Sequence, residues 1–87
     1  MANYKIFIKP SAKKELESLP QSDLSKIVEK IKNLSSDPRP YGAEKLSGED
    51  KYRIRQGNYR IVYSIEDDKL IVIVVKIGHR RDVYKKR

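Results

Sequence analysis

The stretch Tyr52 to Tyr63, Y-R-I-R-Q-G-N-Y-R-I-V-Y, alternates apolar and basic residues on both sides of Gly57-Asn58. Two such runs separated by a Gly-first dipeptide signal a hairpin closed by a type II′ turn. A two-residue loop pairs positions symmetrically about itself. Gln56 then faces Tyr59, Arg55 faces Arg60, Ile54 faces Ile61, Arg53 faces Val62 and Tyr52 faces Tyr63. One face carries Tyr52, Ile54, Tyr59, Ile61 and Tyr63 and requires a core behind it. The other carries Arg53, Arg55 and Arg60 and is expected to be open. Like charges directly opposite on a sheet cost up to about 1 kcal/mol, so something must offset the Arg55 and Arg60 pair. Either the guanidinium groups splay into water over their methylene stems, or their planar forks grip an anion such as phosphate bidentately.

The chain has 87 residues and no cysteine. That length suits one domain with one modest core, and the composition offers neither a disulfide framework nor a thiolate metal site. A single histidine argues against a histidine-built metal centre, and no cofactor is expected. The opening M-A-N-Y-K-I-F-I-K-P lacks the apolar region of a signal peptide, and no apolar run approaches bilayer-spanning length. Cytoplasm is the expected location. Charge is distributed unevenly: residues 1–50 hold nine basic and eight acidic side chains, whereas residues 51–87 hold eleven and four. A C-terminal half at net +7 points to a polyanionic partner, nucleic acid or an acidic protein segment. The absence of a strongly amphipathic basic helix argues against a membrane surface.

Tyr4 to Lys9 alternates as an opening strand. Ser11 is the expected N-cap of a short helix with Ala12, Leu16 and Leu19 at helical spacing. Pro20 separates it from a second helix, N-capped at Ser22 or a neighbour, whose Leu24, Ile27, Val28, Ile31 and Leu34 form one apolar face. Ser35 to Gly42, with two prolines and a glycine, is a loop. Leu46 is its apolar anchor, and Ser47 to Asp50 is a turn. After the hairpin, Glu66 to Lys69 is a second turn, its loop either two residues or longer. Leu70 to Ile77 is apolar at both parities and predicts a central strand ended by Gly78. The order β, α, α, β, β, β defines an α+β domain over residues 1–87: two N-terminal antiparallel helices on one face of a small, mainly antiparallel sheet.

Past Gly78 the sequence is basic. In a helical turn Arg80 and Tyr84 stand at i, i+4 and share a face, whereas Lys85 to Arg87 read as a charged tail. His79 is a candidate acid or base, its pKa near neutrality and open to lowering by neighbouring cations; it reads equally well as a surface residue near Asp82.

Taken together, K-L-S-G-E-D-K-Y-R-I-R-Q-G-N-Y-R-I-V-Y and I-V-I-V-V-K-I-G-H-R-R-D-V-Y resemble the RelE branch of the RelE/ParE toxin superfamily over nearly the whole chain. The resemblance implies the toxin of a type II toxin-antitoxin pair, a metal-independent, ribosome-dependent endoribonuclease that cuts messenger RNA in the ribosomal A site. Its implied partners are a RelB-like antitoxin, the ribosome, messenger RNA and, through the antitoxin complex, promoter DNA. The family's active-site positions fall at Arg53, Arg55, Arg60, Arg80 and Tyr84, with Lys51, Arg81 and Lys85 as auxiliary RNA-binding cations. The implied alternatives are a non-catalytic inhibitor of the ribosome or, as in the ParE branch, of a topoisomerase. A basic nucleic-acid-binding domain is the third reading. In the best-known members, lysines stand where this chain has Arg53 and Arg55. A lysine can lose its proton in a cationic pocket and an arginine essentially cannot. The general base then falls to His79, a substrate group or the ribosome, or cleavage rests on positioning and electrostatics.

Overall fold

The computed structural model describes residues 3–46, 48 and 50–79. Its elements are β1 (Lys5–Ile8), α1 (Pro10–Glu17), α2 (Gln21–Asn33), β2 (Glu44–Lys45), β3 (Lys51–Gln56), β4 (Tyr59–Glu66) and β5 (Ile71–His79). The strands form one sheet in the order β1-β5-β4-β3-β2; β1 runs parallel to β5 and every other pairing is antiparallel. Both helices bury their apolar faces on the same side. Ala12 and Leu16 of α1, Ile27 and Ile31 of α2 and the cap residue Leu34 meet Ile54, Ile61, Tyr63, Val72, Val74 and Ile77 of the sheet.

The hairpin has the register expected of it, from Gln56 opposite Tyr59 to Tyr52 opposite Tyr63. Gly57 takes φ +61 and Asn58 stays out of the left-handed region, as a type II′ turn requires. Three local expectations are corrected. The first helix starts at Pro10 with Lys9 as N-cap, two positions before a Ser11 cap allows, because proline's fixed φ and missing N–H suit the first helical position. The sheet also gains the two-residue strand β2, too short to show any alternation. Finally, β5 continues through Gly78 to His79, paired with β4 along the way.

The two faces of β5 are not equally covered: Val72, Val74 and Ile77 are buried, whereas Ile71, Ile73 and Val75 are half-buried. Val62 pairs with Lys76 and Tyr63 with Val74, leaving Val75 as the extra residue of a β-bulge. The bulge shifts the inward set from Val72 and Val74 to Ile77, three residues later. β1 pairs with β5 only as far as Val74, and α1 covers the edge beyond. There Glu15 accepts a hydrogen bond from the Ile77 N–H at 2.8 Å and another from Lys76 Nζ at 2.8 Å. The loop between β4 and β5 is the longer alternative, four residues from Asp67 to Leu70, with Leu70 at φ +55.

A clasp ties this loop to the segment after α2. Arg39 donates through both terminal nitrogens to Asp67 (3.1 and 2.8 Å) and through Nε to the Tyr52 hydroxyl (3.1 Å). Tyr4 donates to Asp67 at 2.7 Å, and the buried Tyr63 hydroxyl donates to the Pro38 carbonyl at 2.7 Å. The Arg39 contacts, and then that of Tyr4, hold the Asp67 carboxyl at about 2, against an ordinary 3.8. Burial pushes the Tyr63 hydroxyl up to about 12.

Two outcomes follow from these contacts. Glu15→Ala strips the β5 edge of its acceptor and lowers unfolding stability by about 1 to 3 kcal/mol, read by urea denaturation. Asp67, depressed in the folded state, contributes stability that is full above its ordinary 3.8 and lost as pH falls through about 2. The gap in thermal midpoint between wild type and Asp67→Asn therefore closes as a titration series runs from pH 5 to pH 2; a gap that stays constant removes the clasp's role.

Candidate nucleic-acid interface

The β3 and β4 register sets Lys51, Arg53 and Arg55 beside Ser64, Val62 and Arg60 on the sheet face away from the helices. The three arginines therefore share a face, but they are not equally open. Arg55 lies near the sheet's edge and is exposed, Arg53 is half-buried, and Arg60 is only 5% exposed. The expectation of an open arginine face is corrected at Arg60. β4 has a strand on either side, and a residue in mid-sheet is covered by its neighbours in a way that a residue by the edge is not. Gly78, the ladder partner of Arg60 on β5, brings no side chain of its own to that face.

Among the described residues, an offset to the arginine cluster comes from a residue that the sequence pattern did not mark. Glu44 of β2 stands directly opposite Arg53 in the ladder, and its carboxylate accepts from the Arg53 guanidinium. That contact holds the Glu44 carboxyl below its usual range, with the charges of Arg53, Arg55 and Arg60 adding to it. One carboxylate thus lies within electrostatic reach of all three arginines. Its visible signal was an acidic residue between the Pro-rich loop and the hairpin, but only the pairing of β2 gives it meaning.

His79 goes elsewhere. It pairs with Tyr59, and the two rings meet edge to face with centroids 5.8 Å apart. Tyr59 packs against the helix-side core and donates to Asp23 of α2 at 3.1 Å, which raises the tyrosine's pKa. The histidine is therefore on the helix side of the sheet and is not brought together with the arginines. Arg80, Arg81, Tyr84 and Lys85 lie outside the described residues.

Among the described residues, the sheet face away from the helices gathers three arginines of one α+β domain, with the Glu44 carboxylate against Arg53. A protein-family model, the ParE toxin of the type II toxin-antitoxin system parDE, matches residues 6–84. The chain belongs to that toxin family. Among its relatives, RelE1, a toxin-family protein of Methanocaldococcus jannaschii, is 38% identical over 76 residues, covering 83% of this chain and 84% of the relative. Toxin RelG of Mycobacterium tuberculosis is 30% identical over 87 residues, covering 95% and 98%. The toxin-antitoxin complex RelBE2 of Mycobacterium tuberculosis contains a chain with TM-score 0.82 and 29% identity, over 92% of this chain and 94% of that one. The protein is thus a RelE-like toxin of a type II toxin-antitoxin system, and the α+β fold expected from its sequence is the fold of these relatives.

The charge balance has a measurable consequence. Glu44→Gln removes an internal counter-ion of Arg53, so the protein elutes from a heparin column at higher salt than wild type, whereas Arg55→Ala elutes at lower salt. Unchanged elution of Glu44→Gln means that the carboxylate does not compete with an external polyanion.

Proposed function

We propose that this toxin is a ribosome-dependent endoribonuclease that cuts messenger RNA in the A site and so inhibits translation. The observation that carries the reading is the cross-strand pairing of Arg55 with Arg60 beside Arg53, like charges held together on one rigid sheet face. In the reaction, the ribose 2′-hydroxyl loses its proton and attacks the adjacent phosphorus. The bond to the 5′-oxygen breaks, leaving a 2′,3′-cyclic phosphate and a 5′-hydroxyl end. Negative charge builds on the phosphoryl oxygens, and fixed guanidinium groups stabilise that charge without reorganising. Arg60 with Arg53 or Arg55 holds the phosphate. On the family pattern Arg80 approaches the leaving oxygen and Tyr84 stacks on the nucleotide, with Lys51, Arg81 and Lys85 adding attraction along the strand. Because His79 faces the helices, the base falls to a substrate group or the ribosome, or positioning carries the rate. In the resting cell a RelB-like antitoxin covers the basic face, and the pair binds its own promoter DNA.

A second reading rests on the chemistry of the cluster itself. Arginines do not give up protons, so the same face can grip an anion without cutting it, and the protein then acts as a binding inhibitor of the ribosome or a topoisomerase.

Primer-extension mapping in a purified translation system separates the two. Arg55 is the residue to change, since it is exposed, whereas Arg60→Ala empties a buried position and confounds site with fold. Wild-type protein cuts message only with ribosomes present, and Arg55→Ala, folded by circular dichroism, cuts about 100-fold more slowly, on the scale of losing one transition-state donor. Inhibited translation with intact message selects the binding inhibitor.

A further inference from the structure

The loop between α2 and β2 presents a fully exposed aromatic ring, that of Tyr41. It is held from both sides. The Pro38 carbonyl is bound by the Tyr63 hydroxyl, Arg39 is clamped on Asp67 and Tyr52, and the Ala43 N–H donates to the Pro40 carbonyl at 3.0 Å. An aromatic ring on an anchored loop loses little entropy when a flat partner stacks on it. Beside it lies a cavity of about 290 Å³, lined by Lys30 of α2, Pro40, Tyr41, Glu44, Ile54 and Arg55. The pairing of β2 stops at Arg53, so the cavity opens onto the β3 edge and runs on to the arginine face through the two residues they share, Glu44 and Arg55.

We propose that this groove is a subsite for one unpaired nucleotide of the message strand, next to the nucleotide held over the arginines. Its volume is at the small end of ligand sites, about 300 to 1,000 Å³, as a single nucleotide demands. Tyr41 stacks on the base, as exposed aromatics do in single-strand binding sites. Lys30 and Arg55 flank the phosphate. In the empty site Arg53 holds Glu44 through Oε1; once a phosphate draws Arg53 away, the freed carboxylate accepts from an exocyclic amine on the base's pairing edge, which favours adenine, cytosine or guanine over uracil. A protein segment suits the groove less well: one ring and two cations on a small concavity match a base and its phosphate.

The subsite rests on the cleavage reading, and the experiment separates the two. Cleavage on message-programmed ribosomes is measured as KM and kcat for wild type, Tyr41→Ala, Tyr41→Phe, Glu44→Ala and Arg53→Ala. Loss of stacking raises KM about 5-fold or more in Tyr41→Ala with kcat little changed, and Tyr41→Phe restores it. Replacing adenine by uracil at the adjacent message position raises KM for wild type and not for Glu44→Ala. A Tyr41→Ala KM equal to that of wild type, with Arg53→Ala impaired, overturns the subsite and leaves the cleavage reading standing. Message left intact by wild-type protein overturns both.

Discussion

Glycine at position 57 takes φ +61, a backbone state costly to residues with a Cβ, and a two-residue turn follows from it. Every face assignment in β3 and β4 depends on that turn. A slip of one residue would invert one strand against the other, carrying Ile54 of β3, or Ile61 and Tyr63 of β4, out of the core and turning that strand's arginines toward the helices. The apolar pairs and the turn therefore enforce the same register, and Arg55 is set against Arg60 as a by-product of burying the other face. The repulsion in that pair is small beside the burial of Tyr63, Ile61 and Ile54, each worth about 1.5 to 3 kcal/mol. The fold can hold cations together because its core does not depend on them.

What the bulge does in β5 is equally decisive for the chemistry. Without the extra residue Val75, strict alternation from Val72 and Val74 would send Gly78 inward and bring His79 onto the arginine face. With it, Ile77 and His79 take the helix side, and Gly78 comes beside Arg60. One unpaired residue thus sets the chain's single histidine on the opposite face of the sheet from Arg53, Arg55 and Arg60, and makes Gly78 the ladder partner of Arg60. Glu15 supports the distortion by taking up the Ile77 N–H, which the end of β1 leaves without a strand partner.

These two features also mark what the sequence made legible. The Tyr52 to Tyr63 register could be read residue by residue because its pattern and its turn are both local. The bulge could not: Ile71 to Val75 is apolar at every position, so no parity is marked and a one-residue shift leaves no trace. Glu44 and β2 were hidden for a related reason, since two residues show no period and acquire a role only across the sheet from Arg53. Arg60 was assigned to the correct face but to the wrong degree of exposure, because alternation reports a side chain's direction and not what its neighbours cover. The clasp of Arg39, Asp67, Tyr4 and Tyr52 joins residues far apart in the chain through exposed polar groups, which carry no hydropathy signal.

Glu44 changes the meaning of the arginine set. A cluster of bare guanidinium groups repels itself, and the sheet must bear that cost whenever the site is empty. A carboxylate opposite Arg53 relieves it in the resting protein. Since Glu44 is an exposed residue on an edge strand, its hold on Arg53 is the kind of ion pair that solvent weakens. A phosphate brings more charge and more acceptor oxygens to the same fork and can displace it. On the proposed reading the face is stable when empty and receptive when filled, the Glu44 carboxylate giving way to an external anion. Arg53 and Arg55 suit that exchange, because a guanidinium stays charged at every working pH.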